Sequence, residues 1–313
     1  TKMTVKILTN NFTKRMNTIA DLGELNCPTF KAVPLHWEHD GKMLTSPLKN
    51  GTSLHRGIIN EETGQLLSTV KPSYCLHQYS ETFASLESLL VQSDLDLNGI
   101  SREVGFSHGG GRMKVVYNLP SHQIDLGNGD VSNMQIGAYD SVDGCWSLNQ
   151  FVGAVRMLCL NSQVSISHLT NYRAKHTQAL DLEIAKEITA KCINEFTVQG
   201  EMWKKWKSNT VTDREAFGIF WKAAKESPLA KDAELIEILD SKAFLGTPSL
   251  VYLWKQWQEE KQLLGSNHWA VFNALTHWST HAPARNESEA TNIVDVKKRR
   301  EDKIKKSFLK LAA

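Results

Sequence analysis

The sequence lacks the features that mark secreted and membrane proteins. Its five cysteines are an odd number and contain no CxxC pair, which argues against a disulfide framework. Residues 1–10 include no long apolar stretch, and no segment approaches the ~18 consecutive apolar residues that span a bilayer. We therefore expect a cytoplasmic protein with buried, reduced thiols and no membrane partner.

The chain also lacks a strong excess of charge. Its 36 basic and 34 acidic side chains give a net charge of +2, too small to indicate a nucleic-acid partner by itself. The exception is a basic run near the end, opposed only by Glu301 and Asp302. This run predicts a basic C-terminal helix or arm, or more plainly a solvated helix face. It consists of Lys297, Lys298, Arg299, Arg300, Lys303, Lys305, Lys306 and Lys310.

Motifs of common catalysts and metal sites are missing as well. There is no HExxH, no G-x-S-x-G and no GK[ST] after a glycine loop. Residues 94–99 begin like an EF-hand loop, but Gly105 stands where that loop requires a bidentate Glu. His277 and His281 have the spacing of two metal ligands on a helix, yet no third ligand is identifiable. We predict no catalytic residue, no metal and no cofactor.

A glycine turn at residues 108–111 precedes Arg112. Consecutive glycine amides can form an anion nest, and a neighbouring guanidinium could hold a phosphate there. A plain hairpin hinge explains the same residues and is the preferred interpretation.

The hydrophobic pattern divides the chain into regions. Prolines and glycines interrupt every period in residues 1–60, which we expect to be irregular with short extended pieces. Residues 80–91 are expected to form a helix with Ser80 as its N-cap. Its apolar stripe comprises Phe83, Leu86, Leu89 and Leu90.

Between residues 102 and 168 the pattern predicts an antiparallel meander. Short β-branched or aromatic runs are separated by turn residues at 119–121, 127–130 and 140–144. The expected strands are 114–118, 123–126, 131–139, 145–151 and 154–160.

Beyond His176 the period becomes helical and predicts one long helix with a narrow apolar stripe. The stripe recurs every four residues at Leu180, Ile184, Ile188, Cys192 and Phe196. Further helices are expected at about 213–225, 229–240, 248–263, 267–279 and 288–310, with Pro228 and Pro248 in first turns.

These patterns predict an α+β protein, with an antiparallel β-meander packed on a long helix and followed by a helical C-terminal region. We divide the chain into an irregular N-terminal region (1–60), an α+β core with the sheet (61–207), a helical region (208–283) and a basic C-terminal helix or arm (284–313).

Basic residues interleaved with aromatics indicate a possible surface for nucleic acid. In Trp203-Lys-Lys-Trp-Lys207, the rings could stack on bases of a single strand while the lysines meet phosphates. The same spacing also allows Trp203 and Trp206 to face a core and the lysines to face water. The candidate nucleic-acid-binding residues are Arg102, Arg112, Lys114, Arg156, Arg173, Lys175, Lys204 and Lys205.

Two segments carry a family resemblance. Asp140-Ser-Val-Asp-Gly-Cys-Trp146, followed by Val155-Arg-Met-Leu-Cys-Leu-Asn161, resembles the signature of the phage/plasmid-like family of unknown function. Leu67-Ser-Thr-Val70 and Trp269-Ala-Val-Phe-Asn-Ala-Leu-Thr276 are also similar to that family's pattern, so the resemblance covers roughly residues 60–281. The sequence departs from the pattern at Asp140, Val142 and Cys145, where the family has Asn, His and Ser.

The resemblance implies a context of phages and mobile elements in a bacterial host cell. A β-meander backed by a long helix is also similar to the core of phage single-strand annealing proteins of the Red-beta and Erf groups. The leading hypothesis is therefore a non-catalytic protein that binds and anneals single-stranded DNA during recombination and forms a homo-oligomer. Annealing needs a positive groove along the backbone and no nucleophile.

Two other hypotheses stay open. The protein could be a phage protein that binds and inhibits a host enzyme or defence system, with a host protein as its partner. It could also be a metal-dependent nuclease, for which Asp140 with Asp143, or Asp94 with Asp96, would supply the carboxylates.

Overall fold

The computed structural model describes residues 18–49, 52–156, 163–165, 172–176, 182–225, 237–284, 286 and 293–309. These residues fall into two compact units. Unit 1 takes its described residues from Thr1–Gln123, Asn133–Val152 and Leu169–Asn194, and unit 2 from Ile124–Ser132, Gly153–His168 and Glu195–Ala313. In the described parts of the chain, no helix is long and apolar enough to cross a membrane.

The first part of unit 1 consists of short antiparallel strands. They are β1 (Phe30–Pro34), β2 (His36–His39), β3 (Lys42–Thr45), β4 (Leu48–Lys49), β5 (Thr52–Ser53), β6 (Arg56–Asn60) and β7 (Leu66–Val70). A three-stranded sheet has the order β1-β6-β7, while β2 pairs with β3 and β4 pairs with β5. Asp40 and Gly41 connect β2 to β3 with φ angles of 50° and 71°, as the two central residues of a tight hairpin turn require.

The larger sheet is the meander that the sequence predicts. Its strands are β8 (Ser101–Ser107), β9 (Arg112–Asp125), β10 (Val131–Ser141), β11 (Leu148–Arg156), β12 (Gln163–Ser165) and β13 (Tyr172–Ala174). Their order is β12-β11-β10-β9-β8, and β13 also pairs with β11. Consecutive strands are therefore neighbours, and the α+β fold class is confirmed.

Two predicted breaks in the meander are wrong. The expected turn at 119–121 lies inside β9, which passes through Pro120. The pairing of β8 with β9 ends at Ser101 and Asn118, so the missing N–H of Pro120 removes no bond to β8. The expected strands 145–151 and 154–160 are one strand, β11, and residues 157–160 lie outside the described residues.

Helix α1 (Tyr79–Gln92) forms where the sequence predicts it, and its stripe of Phe83, Leu86, Leu89 and Leu90 is buried. Its predicted N-cap is wrong, because Gln78 rather than Ser80 precedes the first turn. The Gln78 N–H donates to Glu81 Oε2 at 2.9 Å. The Gln78 side-chain amide meanwhile bonds to the backbone N–H and C=O of Phe30 at 3.1 and 2.9 Å.

Helix α2 (Leu182–Ser208) is the long helix, but its buried face differs from the predicted stripe. Cys192 and Phe196 of the predicted stripe are buried. Earlier in the helix Ala185 and Thr189 are buried instead, whereas Ile184 is 47% exposed. A strict spacing of four residues drifts by about 40° per step around a helix of 3.6 residues per turn. The predicted stripe therefore rotates off the buried face. Leu180 lies outside the described residues, and His176 is in a turn before the helix.

Unit 2 is mainly helical. Its other helices are α3 (Asp213–Lys225), α4 (Pro248–Leu264), α5 (His268–His281) and α6 (Ile293–Ile304), and α6 continues into a π-helical segment, Lys305–Leu309. Pro248 occupies the first turn of α4, as predicted, and Pro228 lies outside the described residues. The core is aromatic and includes Trp203, Trp206, Trp257, Trp269, Phe272 and Phe308.

Among the acidic side chains buried in this helical unit, Glu301 has a raised pKa. Glu301 of α6 is 8% exposed, and its burial raises the pKa of its carboxyl group to about 7 despite the nearby lysines. In the unfolded chain the carboxyl has its ordinary pKa of 4.5. Between these values the folded protein holds a proton that the unfolded chain releases, so stability falls as pH rises through this range.

We expect Glu301→Gln to stabilise the protein only where the native carboxyl would be ionised. The gain in unfolding free energy should be near zero at pH 4.5 and reach about 3 kcal/mol above pH 7, since each pKa unit corresponds to about 1.4 kcal/mol. Urea unfolding at several pH values measures it, with Glu237→Gln, at an exposed carboxylate of the same unit, as control. A gain that does not change with pH would contradict this account.

Candidate nucleic-acid interface

The two faces of the sheet in unit 1 are chemically different. One face packs against α1 and α2: Phe106 stacks on Tyr79 with ring centroids 5.9 Å apart, and Gln150 lies 3.5 Å from Thr189 Oγ1. We call the opposite surface the polar face. Strand alternation and pairing place on it Glu103, Arg112, Lys114, Val116, Asn118, Gln135, Tyr139, Asn149, Phe151 and Arg173.

Two hydrogen bonds define how β9 and β10 are aligned on the polar face. Gln135 Nε2 donates to Asn118 Oδ1, and the Val142 N–H donates to the Gly111 C=O at 2.9 Å. Both bonds fit one antiparallel register. In that register Lys114 lies opposite Tyr139, so an ammonium group and an aromatic ring are neighbours.

Tyr139 belongs to a row of aromatic rings. Its ring stacks on Phe151 with centroids 5.5 Å apart and meets Trp146 edge-on at 6.4 Å. The Arg112 guanidinium lies over the Trp146 ring at 5.2 Å. Phe151 is buried, whereas Tyr139 and Trp146 are half-buried and keep part of their rings accessible.

The polar face extends onto β11 and β13. Asn149 lies two residues before Phe151 on β11, so both point to the same face. Asn149 pairs directly with Arg173 of β13, which places the exposed Arg173 side chain on that face too. The polar face therefore combines cations with aromatic rings and amides across four strands.

Lys114 is the half-buried cation of this face. Burial lowers the pKa of Lys114, and the charge of Glu103 on β8 offsets part of that effect. Lys114 forms no ion pair with a carboxylate in the described parts of the chain. Glu103 is the described carboxylate whose charge acts on it.

Three shielded polar atoms lie at or beside the same face. Gln135 Oε1, Asn149 Oδ1 and Trp146 Nε1 have no hydrogen-bond partner among the described residues. A buried polar atom without a partner costs about 1–3 kcal/mol.

Arg102 and Arg112, two other predicted site residues, are held in ion pairs within the fold. Arg102 lies on the helix-covered face, where it donates to Glu87 at 2.7 Å and to the carbonyls of Leu22 and Gly23. Arg112 donates to Asp143 at 2.6 Å, and its side chain is only 3% exposed. Both guanidinium groups are therefore committed to ion pairs within the fold.

Four predicted residues remain. Lys175 is exposed just after β13, and the side chain of Arg156 lies outside the described residues. Lys204 and Lys205 are exposed at the end of α2, where Lys204 pairs with Glu201 at 2.8 Å. Trp203 and Trp206 beside them are each 1% exposed, so neither indole can stack on a base. The core interpretation of those tryptophans is confirmed.

Sequence reasoning missed Gln135, Tyr139 and Asn149. A signal was present, because residues 132–139 alternate between the apolar Met134, Ile136 and Ala138 and a polar or aromatic set. That alternation assigns one polar face to β10.

A second polar cluster in unit 1 is fully buried. The Asp140 carboxylate is 0% exposed and accepts hydrogen bonds from the Ser141 N–H at 2.8 Å and from Thr82 Oγ1 at 3.4 Å. His176 Nε2 lies 2.8 Å from Oδ1 of the same Asp140 carboxylate. His77 contacts Thr82 Oγ1 at 2.8 Å, and burial lowers the pKa of His77. This cluster ties α1 to β10 and to the turn after β13.

Each of the carboxylates that a metal-dependent nuclease would need has its own hydrogen-bond or ion-pair partner within the fold. Asp140 binds His176 and Asp143 binds Arg112. Asp143 also accepts the Cys145 N–H at 2.9 Å, and Gly144 has φ 76°, which makes residues 143–145 a tight turn. Asp96 accepts the Asn98 N–H at 2.9 Å in another turn. No group of three or more His, Cys, Asp or Glu in the described residues could hold a metal ion.

The glycine turn and the histidine pair also have local partners. The N–H groups of Gly110 and Gly111 donate to Ser107 and His108 carbonyls at 3.1 Å, so those amides are not directed at an anion. In unit 2, His277 stacks on His281 at 4.6 Å, and its Nδ1 lies 2.8 Å from the Tyr252 hydroxyl. Burial lowers the pKa of His277 to about 4, so this imidazole is neutral at pH 7.

Replacing Asp140 tests the structural role of the buried cluster. We expect Asp140→Asn to lower the unfolding free energy by about 1–3 kcal/mol, since the asparagine keeps only one oxygen acceptor and leaves buried polar groups without a partner. Thermal and urea unfolding measure the decrease, and Asp40→Asn, at an exposed carboxylate in the β2–β3 turn, should be nearly neutral. An Asp140→Asn protein as stable as the Asp40→Asn control would contradict this role.

Comparison with known proteins gives one match. No curated protein and no solved structure matches the chain significantly. The model of a family described as Domain of unknown function (DUF932) matches residues 66–304, which include α1, β8 to β11 and helices α2 to α5. Because the match covers most of the 313 residues, the chain belongs to the DUF932 family.

Proposed function

We propose that the polar face of unit 1 binds single-stranded nucleic acid and that the protein anneals complementary strands without catalysing a covalent step. The observation that carries the proposal is the placement of Lys114 opposite the half-exposed Tyr139 ring. An aromatic ring offers every base a stacking surface, and a neighbouring cation can meet the phosphate of the same nucleotide.

The chemistry of this face suits a single strand better than a duplex. A base can reach Tyr139 only when it is unpaired or splayed out of its stack. The exposed Arg173 gives the strand a second charged contact on the same surface. Stacking is tolerant of sequence, as annealing of arbitrary complementary strands requires.

Annealing also fits the resemblance to proteins of phages and mobile elements. Strand pairing needs no nucleophile and no bound metal, because the bases themselves supply the specificity. The protein has only to hold a strand extended with its Watson–Crick edges free. A sheet that holds bases by their faces leaves those edges accessible.

Tyr139 and Lys114 give separable tests. Tyr139→Ala should weaken binding of oligothymidylate about 5- to 150-fold, since stacking contributes about 1–3 kcal/mol per base. Tyr139→Phe, which keeps the ring, should bind nearly as wild type. Lys114→Gln should flatten the slope of log K against log salt by about 0.7, the contribution of one neutralised phosphate on a single strand.

Fluorescence anisotropy over a salt series measures both effects. Lys31→Gln, at an exposed lysine of β1 in the same unit, is the matched control and should leave affinity and slope unchanged. If Tyr139→Ala is folded and binds as tightly as Tyr139→Phe, the polar face is not the binding surface.

Self-association follows from the size of the surface. A single binding module contacts about 4–16 nucleotides, so stable pairing of two strands requires several subunits. We expect light scattering at micromolar concentration to show a ring or filament that grows when oligothymidylate is added. A strict monomer in both conditions would contradict annealing, although it would leave strand binding intact.

A second candidate function, binding and inhibition of a host protein, has one observation in its favour. The hairpin of β2 and β3 is exposed along its whole length and carries Trp37, Met43 and Leu44 at 46%, 71% and 38% exposure. Exposed apolar side chains of this kind are typical of protein–protein contacts. A protein that binds no single strand at low salt would favour this function over annealing.

A further inference from the structure

Helix α6 and the segment Lys305–Leu309 that continues it are strongly amphipathic. Val296, Ile304 and Phe308 are buried on one side, together with Arg300. The opposite side, which we call the basic face, is exposed or half-exposed. It carries Lys298, Arg299, Asp302, Lys305 and Lys306.

The helix is held firmly, so the basic face has a fixed shape. The Arg300 guanidinium donates to the carbonyls of Trp278, Ala282 and Pro283 at 2.9–3.2 Å and thereby caps the end of α5. It also lies over the Trp278 ring at 5.5 Å. At the other end, the Phe308 ring packs against Trp206 at 4.9 Å.

Within the described chain, the cations of the basic face make no close ion pair, although the charges of Lys298 and Lys305 act on the buried Glu301. Lys298, Arg299, Lys305 and Lys306 form no ion pair with a described carboxylate. Asp302 is the acidic residue among them, which leaves a net charge of +3 on this face. A helix rises about 1.5 Å per residue, so the stretch from Lys298 to Lys306 covers about 12 Å.

The basic face suits a polyanionic backbone. Four cations along about 12 Å of helix offer such a backbone several contacts at once. Exposed Lys204 and Lys205 lie next to Trp206, which the Phe308 contact fixes against the end of this segment. Lys204 is paired with Glu201 at 2.8 Å, so the basic face is defined by α6 and its continuation alone.

We propose that the basic face binds the sugar–phosphate backbone of single-stranded nucleic acid without contacting its bases. The identity of the ligand rests on the proposed function, whereas the site itself does not use the polar face. It would supply sequence-independent affinity, while the ring of Tyr139 supplies contacts that depend on bases.

The test compares two probes of equal length, an abasic deoxyribose-phosphate oligomer and an oligothymidylate, in anisotropy titrations over a salt series. The double variant Lys305→Gln/Lys306→Gln should flatten the slope of log K against log salt by about 1.4 for both probes, because each phosphate left without its lysine reduces the slope by about 0.7. Lys242→Gln/Lys255→Gln, at two exposed lysines of the same unit, should leave both slopes unchanged. Tyr139→Ala should weaken binding of oligothymidylate alone.

Each result separates the two proposals. If the double variant has the slopes of its control while Tyr139→Ala still weakens oligothymidylate binding, the basic face is not a binding site and the proposed function stands. If the double variant binds both probes more weakly but Tyr139→Ala changes nothing, the basic face stands and base stacking on the polar face is wrong. If wild type binds neither probe at low salt, both proposals are wrong.

Discussion

The carboxylate of Asp140 is enclosed completely, and much of unit 1 is arranged around it. An ionised group at such depth is tolerable only when hydrogen bonds and an opposite partner replace its water of hydration. Here those partners come from the Ser141 backbone, from Thr82 on α1 and from His176 after β13. Because each partner lies on a different segment, one carboxylate fixes how the first helix and the edge strand are placed on the sheet.

This arrangement explains why the two faces of the sheet can differ so strongly. The helix-covered face holds the charges that the fold itself needs, including Arg102 with Glu87. The polar face also carries a lysine without a described ion-pair partner, half-exposed aromatic rings and several amides. Charges locked inside a fold contribute little to recognition, because their field is cancelled by a partner.

The sequence was sufficient for the fold class. The strand period of two residues is visible in the local sequence of β10, and the helical period of 3.6 residues is visible in the helices of unit 2. It was insufficient wherever a distant residue decides the outcome. Gln78 replaces Ser80 as the cap because Phe30 engages it, and the Arg112 charge is not available to a ligand because Asp143 holds it. Among the candidate site residues, Lys114 and Arg173 are on the polar face, whereas Tyr139 required the alternation in β10 to be interpreted as two unlike faces.

The contact between Gln78 and Phe30 has a consequence for how unit 1 opens. The side-chain amide of Gln78 presents one donor and one acceptor to the Phe30 backbone, as a neighbouring strand would. The residue that precedes α1 therefore pairs with the edge of β1. Separating either element from the other breaks the same two bonds. The Phe30 amide and the first turn of α1 therefore exchange their protons with solvent as one cooperative unit, although 48 positions of chain lie between them.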